Sequence, residues 1–279
     1  MNPRTLLDKH DLQPKKSLGQ NFLHDPHTLE KIVAIAEVQL TDSVLEVGPG
    51  TGLLTAQLVR AAREVVAVEL DTRFQPILEP MFDQTPNIRF IWDDILNVDP
   101  DALFPGRDYI VVANVPYYIT SAILKHLLER ERRPRRLILT IQHEVAERVC
   151  ARPPDMSLLA VGVQFFGRPH IAGKLNPAVF WPRPEVDSAL LRIDTYPAPP
   201  VDVPDVKIFF RMARAGFGQK RKQLRNSLGA GLQLKADALA AISAASGVDL
   251  TRRAETLTLE EWAALTRAFV AQSGVSDRE

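Results

Sequence analysis

Residues 44–52, Val-Leu-Glu-Val-Gly-Pro-Gly-Thr-Gly, run a β-branched apolar stretch into three glycines at alternate positions. A strand ending this way turns into a helix beneath a ligand, because a glycine backbone passes where any side chain would collide. The pattern then repeats. Apolar β-rich runs at Val65–Glu69, Ile88–Trp92, Tyr109–Ala113 and Leu137–Gln142 alternate with helical spacing in Leu53–Ala62, Phe74–Phe82 and Thr120–Arg130. Strand–helix–strand repetition with short connections predicts a doubly wound α/β domain, Rossmann-like, with a mostly parallel sheet.

After a helix near Glu144–Cys150, Val161–Phe166 and Ala189–Ile193 read as further strands, separated by the proline-rich Phe180–Pro184. Tyr196–Pro204 is proline-dense and without periodicity, as a stiff linker would be. Beyond it the chain reads as helices at Val206–Phe217, Lys220–Leu228, Ala236–Ala245 and Leu259–Gln272, the last preceded by a capping-box pair, Thr258 and Glu261. The expected division of the 279 residues is therefore an α/β domain over 1–196 and a small all-helical domain over 197–279.

The glycine loop has the spacing G-x-G-x-G, not the G-x-G-x-x-G of a dinucleotide site with pyrophosphate over a helix N-terminus. Glu46, just before it, suits a cationic or zwitterionic ligand better than a phosphate. The second strand ends in Glu69, where a carboxylate accepts hydrogen bonds from ribose hydroxyls. At the end of the third, Asp94 can meet an adenine amino group while Ile95 packs on the ring. A positively charged adenosyl ligand without phosphate fits these positions, and S-adenosyl-L-methionine is such a ligand. The first domain is thus expected to be an S-adenosylmethionine-dependent methyltransferase.

The fourth strand ends in Ala113-Asn114-Val115-Pro116-Tyr117-Tyr118. An exocyclic adenine amine is a poor nucleophile, because its lone pair is delocalised into the ring. A side-chain amide oxygen at Asn114 and the Val115 carbonyl, its backbone restricted by Pro116, can accept that amine's hydrogen bonds and favour attack on a methyl group. Tyr117 offers a face on which an extruded base stacks. No general base is evident, and none is needed, since the alkylated nitrogen loses its proton to water.

These residues resemble the ribosomal RNA adenine dimethyltransferase family, most closely its kasugamycin-resistance type. The resemblance runs through Lys15–Leu23 (KKSLGQNFL), Glu46–Gly52, Glu69, Asp94, Asn114–Tyr117, Gln142–Arg148, Phe180–Ala189 (FWPRPEVDSA) and Phe217–Leu228 (FGQKRKQLRNSL). It implies cofactor contacts at Asn21, Leu23, Gly48, Glu69, Asp94 and Asn114, to which Glu46, Gly50 and Ile95 are added from the loop and strand ends. It implies an adenine pocket of Asn114, Tyr117 and Phe180, with Phe180 as the second stacking face. The implied product is N6,N6-dimethyladenosine at two adjacent adenosines near the 3′ end of small-subunit rRNA, made on a pre-30S particle during ribosome biogenesis. Three positions depart from the pattern. Val115 replaces a commoner leucine or isoleucine, His143 replaces a frequent lysine, and Pro153–Leu159 lacks a Tyr-Gly pair.

Thirty-four basic residues balance thirty-four acidic ones, which excludes a wholesale polyelectrolyte binder but not a local patch. From Val206 to Ala236 there is no acid, and Lys220, Arg221, Lys222 and Arg225 are the expected RNA contacts. A second cluster, Arg132, Arg133, Arg135 and Arg136, reads more simply as a solvated face. A single cysteine, Cys150, rules out an internal disulfide and a cysteine-based zinc site, and no metal is expected. No apolar run approaches the roughly 20 residues that span a bilayer, so a cytoplasmic monomer without membrane contact is expected. The rival readings are a large-subunit (23S) rRNA adenine methyltransferase of the antibiotic-resistance type and a non-catalytic assembly or transcription factor on the same fold.

Overall fold

A computed structural model describes residues 2–273 of the chain. The strands are β1 (Phe22–Leu23), β2 (Ser43–Val47), β3 (Glu64–Glu69), β4 (Ile88–Trp92), β5 (Tyr109–Asn114), β6 (Arg136–Gln142), β7 (Gly167–Leu175), β8 (Phe180–Trp181) and β9 (Ser188–Thr195). The helices that precede the linker are α1 (Pro3–Lys9), α2 (Pro26–Ala36), α3 (Leu53–Ala61), α4 (Gln75–Met81), α5 (Pro100–Leu103), α6 (Thr120–Leu128), α7 (His143–Cys150) and α8 (Leu158–Phe166). After it come α9 (Val206–Phe217), α10 (Leu224–Leu232), α11 (Ala236–Ser246) and α12 (Leu259–Ser273).

Seven strands form one sheet in the order β4-β3-β2-β5-β6-β9-β7, and β1 pairs with β8 separately. From β4 to β6 every pairing is parallel, and β9 runs antiparallel against β6. Both faces of β2 are buried along its whole length, which is why it reads as a continuous apolar run rather than an alternating one. The strand order reverses between β2 and β5, and in such sheets ligands lie beyond the carboxyl ends of the strands at that point. Register places Val47 opposite both Val68 and Ala113, so the glycine loop, Glu69 and Asn114 leave the sheet at the same edge. Beneath it, Val44, Val65, Ile110, Val112 and Ile138 pack with Leu29, Ile32 and Leu58 from α2 and α3.

The chain divides into two compact units, Met1–Glu147 with Arg168–Thr195, and Arg148–Gly167 with Tyr196–Glu279. The expected division at 1–196 and 197–279 is corrected in one respect, because residues 148–167 belong with the helical unit. The cause is a run whose period misleads. Val161–Phe166 is not a strand but the end of α8, started by the Ser157 side chain, which accepts a hydrogen bond from the Ala160 N–H at 3.1 Å. Within that unit Phe165 packs on Phe209 at 4.6 Å between centroids and on Phe210 at 5.2 Å. A second correction concerns Lys220–Lys222, which lie in the turn between α9 and α10 and not in a helix, with the Lys222 N–H closing on the Gln219 carbonyl. The capping box of α12 forms in both directions: Thr258 N–H donates to Glu261 at 2.8 Å and Glu261 N–H to the Thr258 hydroxyl at 3.1 Å.

Candidate active site

At the switch point the glycine loop, the ends of β3 and β5 and the segment after β4 surround a pocket. Gly48, Gly50 and Gly52 all have positive φ (+71°, +53° and +75°), as the alternate glycines require. Their neighbours differ. A Cβ at Gly52 would come within 2.8 Å of Leu78, so that glycine serves packing, whereas one at Gly48 would meet only the Asn114 carbonyl oxygen, at 3.9 Å. Gly48 therefore keeps open the floor on which a ligand would rest.

Glu69 is buried, and its two carboxylate oxygens are held by the N–H groups of Gly50 at 3.0 Å and Asp71 at 2.8 Å. Those two bonds aim the carboxylate while leaving lone pairs for a diol. Burial, reinforced by the Asp71 charge, holds Glu69 above the usual carboxylate range against the pull of those N–H groups. The Asp94 Oδ1 atom accepts the Leu96 N–H at 2.9 Å, and Ile95 lies beside it, buried in the wall.

A strap from Leu18 to Phe22 closes one side of the pocket. It is tied down by Asp71, which takes a hydrogen bond from Gln20 Nε2 at 2.9 Å, an ion pair with Lys15 at 3.5 Å and another with Arg73 at 2.6 Å. Burial opposes ionisation of Asp71, but Arg73 and Gln20 override it and hold the carboxyl well below its ordinary range. The strap meets the fourth wall directly: Asn114 Nδ2 donates to the Asn21 carbonyl at 2.8 Å. That leaves the Asn114 Oδ1 atom as the acceptor available to a substrate amine. Next to it, the Tyr117 hydroxyl bonds Ser188 at 2.7 Å and fixes the ring, and burial keeps the phenol above its usual range.

Of the residues expected at the site, Asn21, Gly48, Gly50, Glu69, Asp94, Ile95, Asn114, Val115, Pro116 and Tyr117 line this pocket. Three do not. Leu23 and Phe180 pair across β1 and β8 and turn their side chains into the core with Leu29 and Ile32, so the second stacking face expected at Phe180 is not presented at the pocket. Glu46, inside β2, is buried at 1% exposure, and neither its carboxyl oxygens nor the Thr55 hydroxyl complete a hydrogen bond of good geometry. Burial pushes its pKa up to about 8, the Thr55 hydroxyl pulls the other way and the Glu69 carboxylate adds to the rise. At neutral pH it carries a proton and offers no charge to a cation. The sequence reading passed over Asp71 and Tyr118. A second carboxylate two residues beyond the strand-end Glu69 is the available signal for the first; the second lies in the same motif as Tyr117.

In the helical unit, Lys220, Arg221, Lys222 and Arg225 are exposed. Among the described residues the three turn cations make no ion pair, and Arg225 stands near Asp249. The arginine cluster of the first unit is different. Arg135 pairs with Asp42 at 2.9 Å, Arg136 with Glu37 and Asp194 at 2.7 and 2.6 Å, and Arg132 donates to the Arg107 carbonyl at 2.7 Å. Those side chains hold the fold together.

The chain is similar to known proteins along most of its length. The family described as "Ribosomal RNA adenine dimethylase" matches it over residues 12–267. The chain belongs to the ribosomal RNA adenine dimethylase family. Among similar members, the "Ribosomal RNA small subunit methyltransferase A" of Dehalococcoides mccartyi (strain CBDB1) is 41% identical over 261 residues, covering 93% of this chain and 89% of that one. The protein of the same name from Moorella thermoacetica is 41% identical over 275 residues, 95% of each chain. The solved 23S rRNA methyltransferase ErmE superposes with a TM-score of 0.71 at 28% identity, over 89% of this chain and 99% of its own. A dimethyladenosine transferase from Plasmodium falciparum, at 23% identity and a TM-score of 0.74 over 90% and 98% of the two chains, shares the fold. The fold is that of the Rossmann-like S-adenosylmethionine-dependent methyltransferases, and the family is one of rRNA-modifying enzymes.

Proposed function

We propose that the chain dimethylates the N6 amino groups of two adjacent adenosines near the 3′ end of small-subunit rRNA, with S-adenosyl-L-methionine as donor and a pre-30S particle as substrate. The observation that carries this reading is Asn114, whose amide nitrogen is engaged by Asn21 and whose oxygen is left for an adenine amine. The donor fits the residues present: Gly48 leaves the floor open, Glu69 is aimed by two N–H groups, and Asp94 and Ile95 stand where an adenine would lie. When bound, S-adenosylmethionine supplies an electrophilic methyl carbon.

This chain's residues do the rest. Asn114 Oδ1 and the Val115 carbonyl are placed to accept the amine's hydrogens, two before the first transfer and the remaining one before the second, which draws the nitrogen lone pair out of conjugation. Tyr117 holds the extruded base by its face. The donor's sulfur would leave as a neutral thioether, and the four-bonded nitrogen would give one proton to water. Similarity at about 40% to small-subunit enzymes, against 28% to the 23S enzyme, supports the small subunit as target.

The deciding experiment offers labelled donor with undermethylated small subunits, large subunits and naked rRNA, then maps the modified adenosines. Two adjacent dimethylated adenosines in small-subunit RNA are expected, and label confined to large subunits would overturn the reading. The helical unit is proposed to hold the RNA, with the boundaries 148–167 and 196 onward. Replacing Lys220, Arg221 and Lys222 together by glutamate is expected to weaken RNA binding and to flatten the slope of log affinity against log salt by about 2–3, at roughly 0.7–0.9 per phosphate contact. Filter binding across a salt series measures both, and cofactor affinity should not move.

A further inference from the structure

The chain has twelve phenylalanines, three tryptophans and four tyrosines, and Tyr118 alone among them is exposed, at 58%. Every other ring is buried or half-buried, so its exposure is specific to this place. The place is the mouth of the pocket, where Tyr118 follows Tyr117 and lines the rim with Leu70, itself 47% exposed. The two tyrosines are held differently. Ser188 anchors the Tyr117 hydroxyl, whereas the Tyr118 hydroxyl makes no hydrogen bond among the described residues. Yet the Tyr118 ring is not loose: its Cδ1 and Cε1 edge rests on the strap, 3.5 and 3.7 Å from where a Cβ on Gly19 would stand. One edge is backed and much of the ring is offered to solvent.

Drawing one base out of a strand breaks its stacking with the next, and a protein aromatic at the point of exit restores that contact for the base left outside. Resting on the function proposed above, we propose that Tyr118 is a stacking platform for the nucleobase adjacent to the adenosine in the pocket. With two neighbouring adenosines as targets, one of them occupies the platform while the other is in the pocket. The platform recognises a purine face rather than a particular hydrogen-bonding edge.

The test compares Tyr118→Ala and Tyr118→Phe with the wild type on undermethylated small subunits. It measures kcat/KM for the RNA, KM for the donor, and the proportion of molecules carrying only one modified adenosine. Tyr118→Ala is expected to lose roughly 5- to 150-fold in kcat/KM for the RNA, the range of one base stack, and to accumulate singly modified pairs. Tyr118→Phe should match the wild type, since the hydroxyl has no partner, and donor KM should stay the same in both. RNA kinetics unchanged in Tyr118→Ala would overturn the platform. So would a rise in donor KM equal to the loss on RNA, which would make the ring a prop for Gly19 and nothing more. A wild type inactive on small-subunit RNA would instead overturn the underlying function.

Discussion

Asn114→Ala is expected to lower kcat for methyl transfer by about 10²–10³-fold, the usual loss when one preorganised polar contact to the reacting group is removed. Donor affinity should remain within several-fold, because Gly48, Glu69 and Asp94 are untouched. Asn114 ends β5, opposite Thr140 on β6, so its backbone is fixed by the sheet and its amide by the Asn21 carbonyl at 2.8 Å. Alanine removes the amine's acceptor without disturbing the parallel ladder. Single-turnover rates with saturating donor isolate the step, and a rate near wild type would show that the Val115 carbonyl alone suffices.

The second large effect is on stability. Glu46 has an ordinary pKa near 4.5, and burial raises it to about 8 in the fold. Below 4.5 the group is protonated whether folded or unfolded, and the fold loses nothing. Between 4.5 and 8 the unfolded chain releases the proton while the folded chain retains it, so stability falls as pH rises, by up to about 1.4 kcal/mol per pH unit. Above 8 the curve flattens. Glu46→Gln removes that slope while keeping the shape, leaving a neutral group next to Thr55. The variant should melt roughly 9–17 °C above wild type at pH 8, from about 4 kcal/mol of recovered stability at about 2–4 °C per kcal/mol for a chain of this size, and close to it at pH 4.5. Parallel melting curves across this range would mean that Glu46 does not keep its proton.

The parts of the molecule legible in its sequence are those whose cause is local. Runs such as Val65–Glu69 and Tyr109–Ala113 announce buried parallel strands through composition alone, and chemistry at strand ends then locates Glu69, Asp94 and Asn114. What was illegible depends on distant partners. An unbroken apolar run such as Val161–Phe166 serves a strand or a buried helix equally well, and packing on Phe209 and Phe210 decides it. The strand β7, Gly-Arg-Pro-His-Ile-Ala-Gly-Lys-Leu, has weak β-propensity and forms at the sheet's edge. Leu23 and Phe180 lie more than 150 residues apart, and their pairing buries both. Asp71 likewise acquires its meaning from Lys15 and Gln20, far back in the chain.

An asparagine amide is nearly symmetric in shape, and turning it over exchanges a donor for an acceptor. The Asn21 carbonyl breaks that symmetry at residue 114 from 93 positions upstream. In the flipped orientation two oxygens would face each other across the strap, and an NH₂ group would confront the substrate's own NH₂. The polarity of the reactive wall is thus written by a segment outside the sheet. An Asn21 that lost its seat would leave every residue of the wall in place and half of its amides facing the wrong way.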